Sequence, residues 1–284
     1  MSKVHTVRAR GIEFEVEEAG DGSRAFVLVH GFTGSRDDFR EHIGPLAELG
    51  RTVALDNRGH GGTTNSGRPE DYTTDGMAED LGAVLDALGL DRIDLLGHSL
   101  GGMIALRFVL AHPDRVRSLI LMDSSGQAMT KLMPMRLRDS LAALILAEGV
   151  GALGPRMRAA SGSGMRPPSA KLAEERMGSD VFWSRIQAKL DAMDRIAWDA
   201  LSRVLAGHPS MLDRLGEIRC PTLVIVGAED TALLDAAGDL ARGIPGARLE
   251  VLPDAAHSPQ LENPTAWLAA VRSHLERVRS LPET

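Results

Sequence analysis

Four short apolar runs punctuate the first half of the chain: FVLVH (26–30), TVALD (52–56), IDLLG (93–97) and SLILMD (118–123). A fifth, TLVIVG (222–227), follows after a long gap. They are too continuous for strands with one wet face. They suit strands buried on both faces of a parallel sheet. Helical stretches separate them. SRDDFREHIGPLAELG opens with Ser35 and Asp38 spaced as a capping box. TDGMAEDLGAVLDALGL carries Met77, Leu81, Val84, Leu85 and Leu88 at helical spacing. LGGMIALRFVLAHPDR runs as a helix from Ser99 until Pro113 stops it. Beyond TLVIVG come a helix (ALLDAAGDLARGI), a strand (ARLEVLP) and a final helix (NPTAWLAAVRSHLERV) with Pro264 in its first turn. Alternating strands and helices predict an α/β fold with a mostly parallel sheet and helices on both faces. The N-terminal HTVRARGIEFEVEEAG alternates apolar and polar residues around Gly11, which predicts an antiparallel hairpin.

From about 126 to 210 the alternation stops. This insert has helical patches and a loose stretch, RAASGSGMRPPSA. Met129, Met133, Met135, Met157, Met165, Met177 and Met193 all fall within it. Thioether side chains adapt to varied partners, so an apolar, flexible cover over an aliphatic pocket is expected here. Aromatic content of only 4% argues against a stacking pocket.

The 284 residues carry a net charge of −7 with basic residues scattered among acidic ones, which argues against nucleic acid or an anionic membrane surface as the main partner. The N-terminal segment lacks the apolar core of a signal peptide, and no apolar run is long enough to span a bilayer. The one cysteine, Cys220, precedes Pro221 at the foot of an apolar run and reads as a small buried side chain. A cytoplasmic location is the expectation.

The chemistry concentrates at LLGHSLGGMIAL (95–106). Gly97, Gly101 and Gly102 bracket Ser99 between a buried strand and a helix. Such a turn lifts a serine hydroxyl above the sheet edge, and the helix N-terminus favours developing negative charge. A serine needs a base, and the base needs an orienting acid. His257, in LPDAAHSPQLENP, follows the last strand at the carboxyl end of the sheet, where parallel-sheet sites collect. His98 neighbours the serine but should point away from it. His60, in RGHGGT, sits in a turn with a weaker claim. His5, His42, His112, His208 and His274 read as surface residues. Asp230, three residues past Gly227, is the leading acid; Asp123 and Glu229 stay open as alternatives. Backbone N–H groups of Leu100 and, in HGFTGS, Phe32 are positioned to hold an oxyanion, with Gly31 freeing that loop to turn inward. No metal or cofactor motif is found: there is no H-E-x-x-H, no paired cysteine ligands and no G-x-x-x-x-G-K.

With LVHGFTGS, LDNRGHGGT, LLGHSLGG, TLVIVGAED and DAAHSPQLENP in order, the chain resembles the α/β-hydrolase-fold superfamily. That resemblance implies a sheet of about eight strands, with a core domain over 1–125 and 211–284. It implies a helical cap over 126–210, inserted after strand 6. It also implies a serine hydrolase with Ser99, His257 and Asp230 as triad, acting on a small-to-medium carboxylic ester or lactone. Two positions depart from the pattern. Ala256 stands where the family usually has glycine before its histidine. His98 stands where many carbon–carbon bond hydrolases of the family carry asparagine. A serine nucleophile argues against haloalkane dehalogenase and epoxide hydrolase chemistry. Carbon–carbon hydrolysis, lyase or cofactor-free peroxidase chemistry with the same triad stays open, as does a non-catalytic small-molecule sensor.

Overall fold

The computed structural model describes residues 2–161 and 166–281. An antiparallel hairpin, β1 (Lys3–Ala9) and β2 (Ile12–Ala19), opens the chain. The parallel strands are β3 (Ala25–Val29), β4 (Arg51–Leu55), β5 (Ile93–His98), β6 (Val116–Met122), β7 (Thr222–Gly227) and β8 (Arg248–Leu252). They lie in one sheet of order β1-β2-β4-β3-β5-β6-β7-β8. β2 meets β4 antiparallel, and every pair from β4 to β8 is parallel. The apolar runs sit where their continuity demands: β3, β5 and β7 are buried at every residue. At the edge, β8 leaves Leu249 and Val251 exposed, as a strand covered on one side does.

Two apolar clusters fill the two faces of the sheet. One face packs α2 (Thr74–Ala87), α3 (Leu100–Ala111) and α9 (Leu234–Gly243) through residues such as Leu81, Ile104, Phe108 and Leu240. The other packs α1 (Arg40–Ala47) and α11 (Pro264–Arg279) through Ile43, Leu46, Trp267 and Val271. Each fully buried side chain of this size contributes about 1.5–3 kcal/mol relative to exposure. Ser35 caps the short 3₁₀ turn Arg36–Phe39 that leads into α1, with its hydroxyl and the Asp38 carboxylate completing the box.

Between β6 and β7 the chain leaves the sheet and forms α4 (Met135–Glu148), α5 (Leu153–Ala160), α6 (Pro168–Met177), α7 (Ser179–Asp191) and α8 (Arg195–Gly207). The short helix α10 (Pro259–Glu262) follows β8. The methionines of this segment do not form one cover. Met129 and Met193 are buried in the larger apolar cluster, where they fill gaps between helices. Met135 and Met157 are 48% and 45% exposed on the surface. Met165 lies outside the described residues.

Candidate active site

Ser99 joins β5 to α3 at φ 52°, ψ −116°, a left-handed conformation that costs a non-glycine residue about 1–3 kcal/mol. The fold holds it from both sides. Its N–H donates to the Met122 carbonyl at 2.9 Å, and its carbonyl accepts from Ser124 Oγ at 2.7 Å. The flanking glycines are needed for close approach. A Cβ at Gly97 would lie 2.3 Å from the Gly101 carbonyl oxygen, and one at Gly101 would lie 2.2 Å from that of Val29. Strand, turn and helix therefore touch backbone to backbone, and the hydroxyl stands at the carboxyl end of the sheet.

His257 arrives on the loop between β8 and α10. Its Nε2 is 3.1 Å from Ser99 Oγ, and its Nδ1 is 2.7 Å from Asp230 Oδ2. Asp230, just past β7, is buried, whereas the imidazole is 37% exposed. Neighbours clamp the loop. The Glu262 carboxylate accepts the N–H groups of Ala256 and Ser258, the residues on either side of His257, at 2.5 and 3.3 Å. From below, His98 Nε2 donates to the His257 carbonyl at 2.7 Å. Burial, then the nearby His257, push the His98 pKa down to about 3, so its ring is neutral at physiological pH. His98 faces the His257 loop, a contact its place beside Ser99 does not reveal.

The three candidate acids have separate partners. Asp230 meets His257. Asp123, at the end of β6, accepts the Gly227 N–H on Oδ1 at 3.0 Å. Burial and the neighbouring Asp230 raise Asp123 well above the usual carboxylate range. Glu229 accepts the Ser169 N–H at the start of α6 at 3.0 Å and so ties the helical segment down.

Phe32 lies in the turn after β3, which Gly34 N–H closes onto the Gly31 carbonyl at 3.1 Å with Thr33 at φ 59°. His30 anchors this turn. Its Nε2 accepts the Asn57 N–H at 2.9 Å, which leaves the proton on Nδ1 to donate to the Gly31 carbonyl at 2.7 Å. Leu100 is the first residue of α3, so its N–H has no intrahelical acceptor.

The helical segment grips the same end of the sheet. Trp198 of α8 packs on Phe32 with ring centroids 6.0 Å apart. On α7, Lys189 pairs with Asp38, and Arg185 pairs with Glu41 and with Asp37 at 3.1 Å. Arg176 of α6 donates to the Leu261 carbonyl.

Three histidines expected at the surface are buried. His42 donates from Nε2 to the Gln260 carbonyl at 2.7 Å and its ring tilts against Trp267. His208 Nε2 accepts from Arg107 at 3.2 Å. His274 is fully buried in α11. Partners distant in sequence enclose them, so local polarity misleads. His5 is half-buried against Glu18, and His112 is exposed. His60 packs edge-on against His30 at 5.0 Å and stays out of the Ser99 cluster. The Cys220 thiol is pushed up to about 11 by burial and carries little thiolate.

A sheet of this order, with a strained serine at one strand end and an imidazole from the last loop, defines a hydrolase of the α/β type. The family model described as alpha/beta hydrolase fold matches residues 24–264, and the chain belongs to that family. A 2-hydroxy-6-oxononadienedioate/2-hydroxy-6-oxononatrienedioate hydrolase of Klebsiella pneumoniae is 30% identical over 94% of this chain and 92% of its own. The solved structure of an N-acyl homoserine lactone degrading enzyme superposes with a TM-score of 0.78 at 27% identity, covering 95% of this chain and 99% of that one. A thermophilic esterase from Thermogutta terrifontis superposes with a TM-score of 0.79 at 27% identity, covering 98% of this chain and 100% of that one. The protein is a hydrolase, and among its described residues no helix is long and apolar enough to cross a membrane.

Proposed function

We propose that the protein hydrolyses a small-to-medium carboxylic ester or lactone through an acyl-enzyme on Ser99. The observation that carries this reading is the unbroken series of contacts from Ser99 Oγ to His257 Nε2, 3.1 Å, and from His257 Nδ1 to Asp230 Oδ2, 2.7 Å. His257 Nε2 takes the hydroxyl proton as Ser99 Oγ attacks the carbonyl carbon. Asp230 keeps the other proton on Nδ1 and stabilises the imidazolium. The oxyanion receives the N–H groups of Phe32 and Leu100, and losing one such donor raises the barrier by about 3–4 kcal/mol. His257 then returns its proton to the leaving alkoxide. Water, activated by the same imidazole, releases the acid and restores Ser99. The lactone-degrading enzyme and the esterase among its structural neighbours support this substrate class. The lone, half-buried Cys220 supports a reducing, cytoplasmic setting.

A second reading is carbon–carbon bond hydrolysis with the same residues, favoured by the 30% identical 2-hydroxy-6-oxononadienedioate/2-hydroxy-6-oxononatrienedioate hydrolase. Product analysis on paired ester and vinylogous diketone substrates separates the two. The primary test is labelling by a fluorophosphonate, with mass spectrometry of the modified residue, followed by an ester chain-length series. Labelling confined to Ser99 and lost in Ser99→Ala is expected. A purified protein that takes up no label would overturn the reading and favour a ligand sensor.

A further inference from the structure

We infer that Asp123 is a positioning residue of the triad, its carboxyl keeping a proton that it donates to Asp230, so that two acids behind His257 share one negative charge. The inference rests on the reading of Ser99, His257 and Asp230 as a triad. Asp123 sits on the strand end adjacent to β7, at φ 43°, so the backbone commits its side chain to this place despite the strain. One polar side-chain atom each from Asp123, Asp230 and His257 lies within 4.8 Å of the others. Oδ1 of Asp123 is satisfied by the Gly227 N–H. Oδ2 is buried, and among the described residues no N–H or O–H donates to it.

An ionised Asp123 would therefore leave one charged oxygen without a donor in a buried site. It would also stand beside the Asp230 carboxylate, and two like charges this close do not both ionise readily. The titratable groups that act on it are Asp230 after β7, His257 after β8 and Glu262 on α10. Two of these three are acids. A proton on Oδ2 resolves both problems, because the hydroxyl donates to Asp230, the hydrogen-bond partner its position allows. Burial first, and Asp230 with Glu262 after it, raise the Asp123 pKa in the direction this requires.

The shared proton has two consequences for the reaction. It orients the Asp230 carboxylate toward Nδ1 of His257. It also holds the charge behind the imidazole at one unit. When Asp123 ionises as pH rises, the donor disappears and a second negative charge faces the first. Activity should then fall.

Two measurements test this. In Ser99→Ala protein labelled with carboxyl-¹³C aspartate, one buried carboxyl is expected to titrate well above the ordinary carboxylate range, and its resonance to vanish in Asp123→Asn. In active protein, kcat/KM on a p-nitrophenyl ester is expected to show a limb that falls with rising pH, at the pH where that carboxyl titrates. Asp123→Leu, which can neither accept nor donate, should lose about tenfold or more. Asp123→Asn can accept from Gly227 and donate to Asp230, so it should recover most of that loss and lack the limb. An Asp123 carboxyl that titrates in the ordinary range, or an Asn variant that keeps the same limb, overturns the inference. A parent protein that neither turns over esters nor takes up the fluorophosphonate overturns the triad reading instead, and the carbon titration still decides the state of Asp123.

Discussion

His98 and His257 are 159 residues apart, yet the ring of the first donates to the backbone carbonyl of the second at 2.7 Å. The residue beside Ser99 thereby supports the loop that brings the imidazole to it. We predict that His98→Ala lowers kcat on an ester by about 10- to 100-fold, the worth of one buried hydrogen bond of about 1–3 kcal/mol. KM should change little. His98→Gln, whose amide can donate along a similar reach, should restore most of the loss. Steady-state kinetics on the three proteins at matched stability decides the point.

Gly101→Ala tests the close approach at the elbow. Its Cβ would meet backbone 2.2 Å away, at the Val29 carbonyl, and backbone cannot swing aside as a side chain can. The variant should lose about 1–3 kcal/mol of stability or more, measured by urea unfolding. An unchanged midpoint would mean that strand and helix are not in contact there.

His274 is buried in α11 with neither ring nitrogen hydrogen-bonded among the described residues, and burial, reinforced by Arg277 and Arg248, lowers its pKa to about 4. The unfolded chain takes up a proton near pH 6.5 while the folded chain does not until about 4. The unfolded state thus binds more protons across this window, so the His274 contribution to stability is intact above about 6.5 and is lost progressively as pH falls toward 4. His98 and His60, both pushed to about 3, act in the same direction. His274→Met should keep its stability at pH 7.5 and lose less of it at pH 5 than the parent. Paired denaturant titrations at the two pH values give the answer.

Lys189 and Arg185 tie α7 to the 3₁₀ turn Arg36–Phe39 and to α1, through Asp38, Asp37 and Glu41. The pairs to Asp37 and Glu41 contribute about 1 kcal/mol or less each, and the Lys189 pair contributes more, because Asp38 is buried. The double variant Lys189→Ala/Arg185→Ala should loosen the docking of α7 while the sheet stays folded. Faster amide hydrogen exchange is expected in α7 and in the turn carrying Phe32, with sites in β5 and β6 unaffected.

Sequence periodicity carries the sheet well, because strands buried on both faces must be continuously apolar and few other elements look like FVLVH or TLVIVG. Ser99 was legible for a similar reason: the close packing on each side of it excludes a Cβ. The acids were harder. Asp123, Glu229 and Asp230 all leave neighbouring strand ends, so spacing alone leaves three choices. What separates them is partners brought from elsewhere: the imidazole of His257, the Gly227 N–H, and the Ser169 N–H on α6. The buried His42 and His208 were misread because Gln260 and Arg107, which enclose them, lie 218 and 101 residues away. The methionines misled because composition says what a segment contains and not which way its side chains face.

Glu229, Asp38 and the Leu261 carbonyl are the footholds on which α6 and α7 rest, and each belongs to the sheet-bearing part of the chain and not to the helices above it. α6 and α7 thus meet the rest of the chain largely through polar contacts beside the Ser99–His257 cluster, whereas α8 is anchored by apolar packing of Trp198 on Phe32.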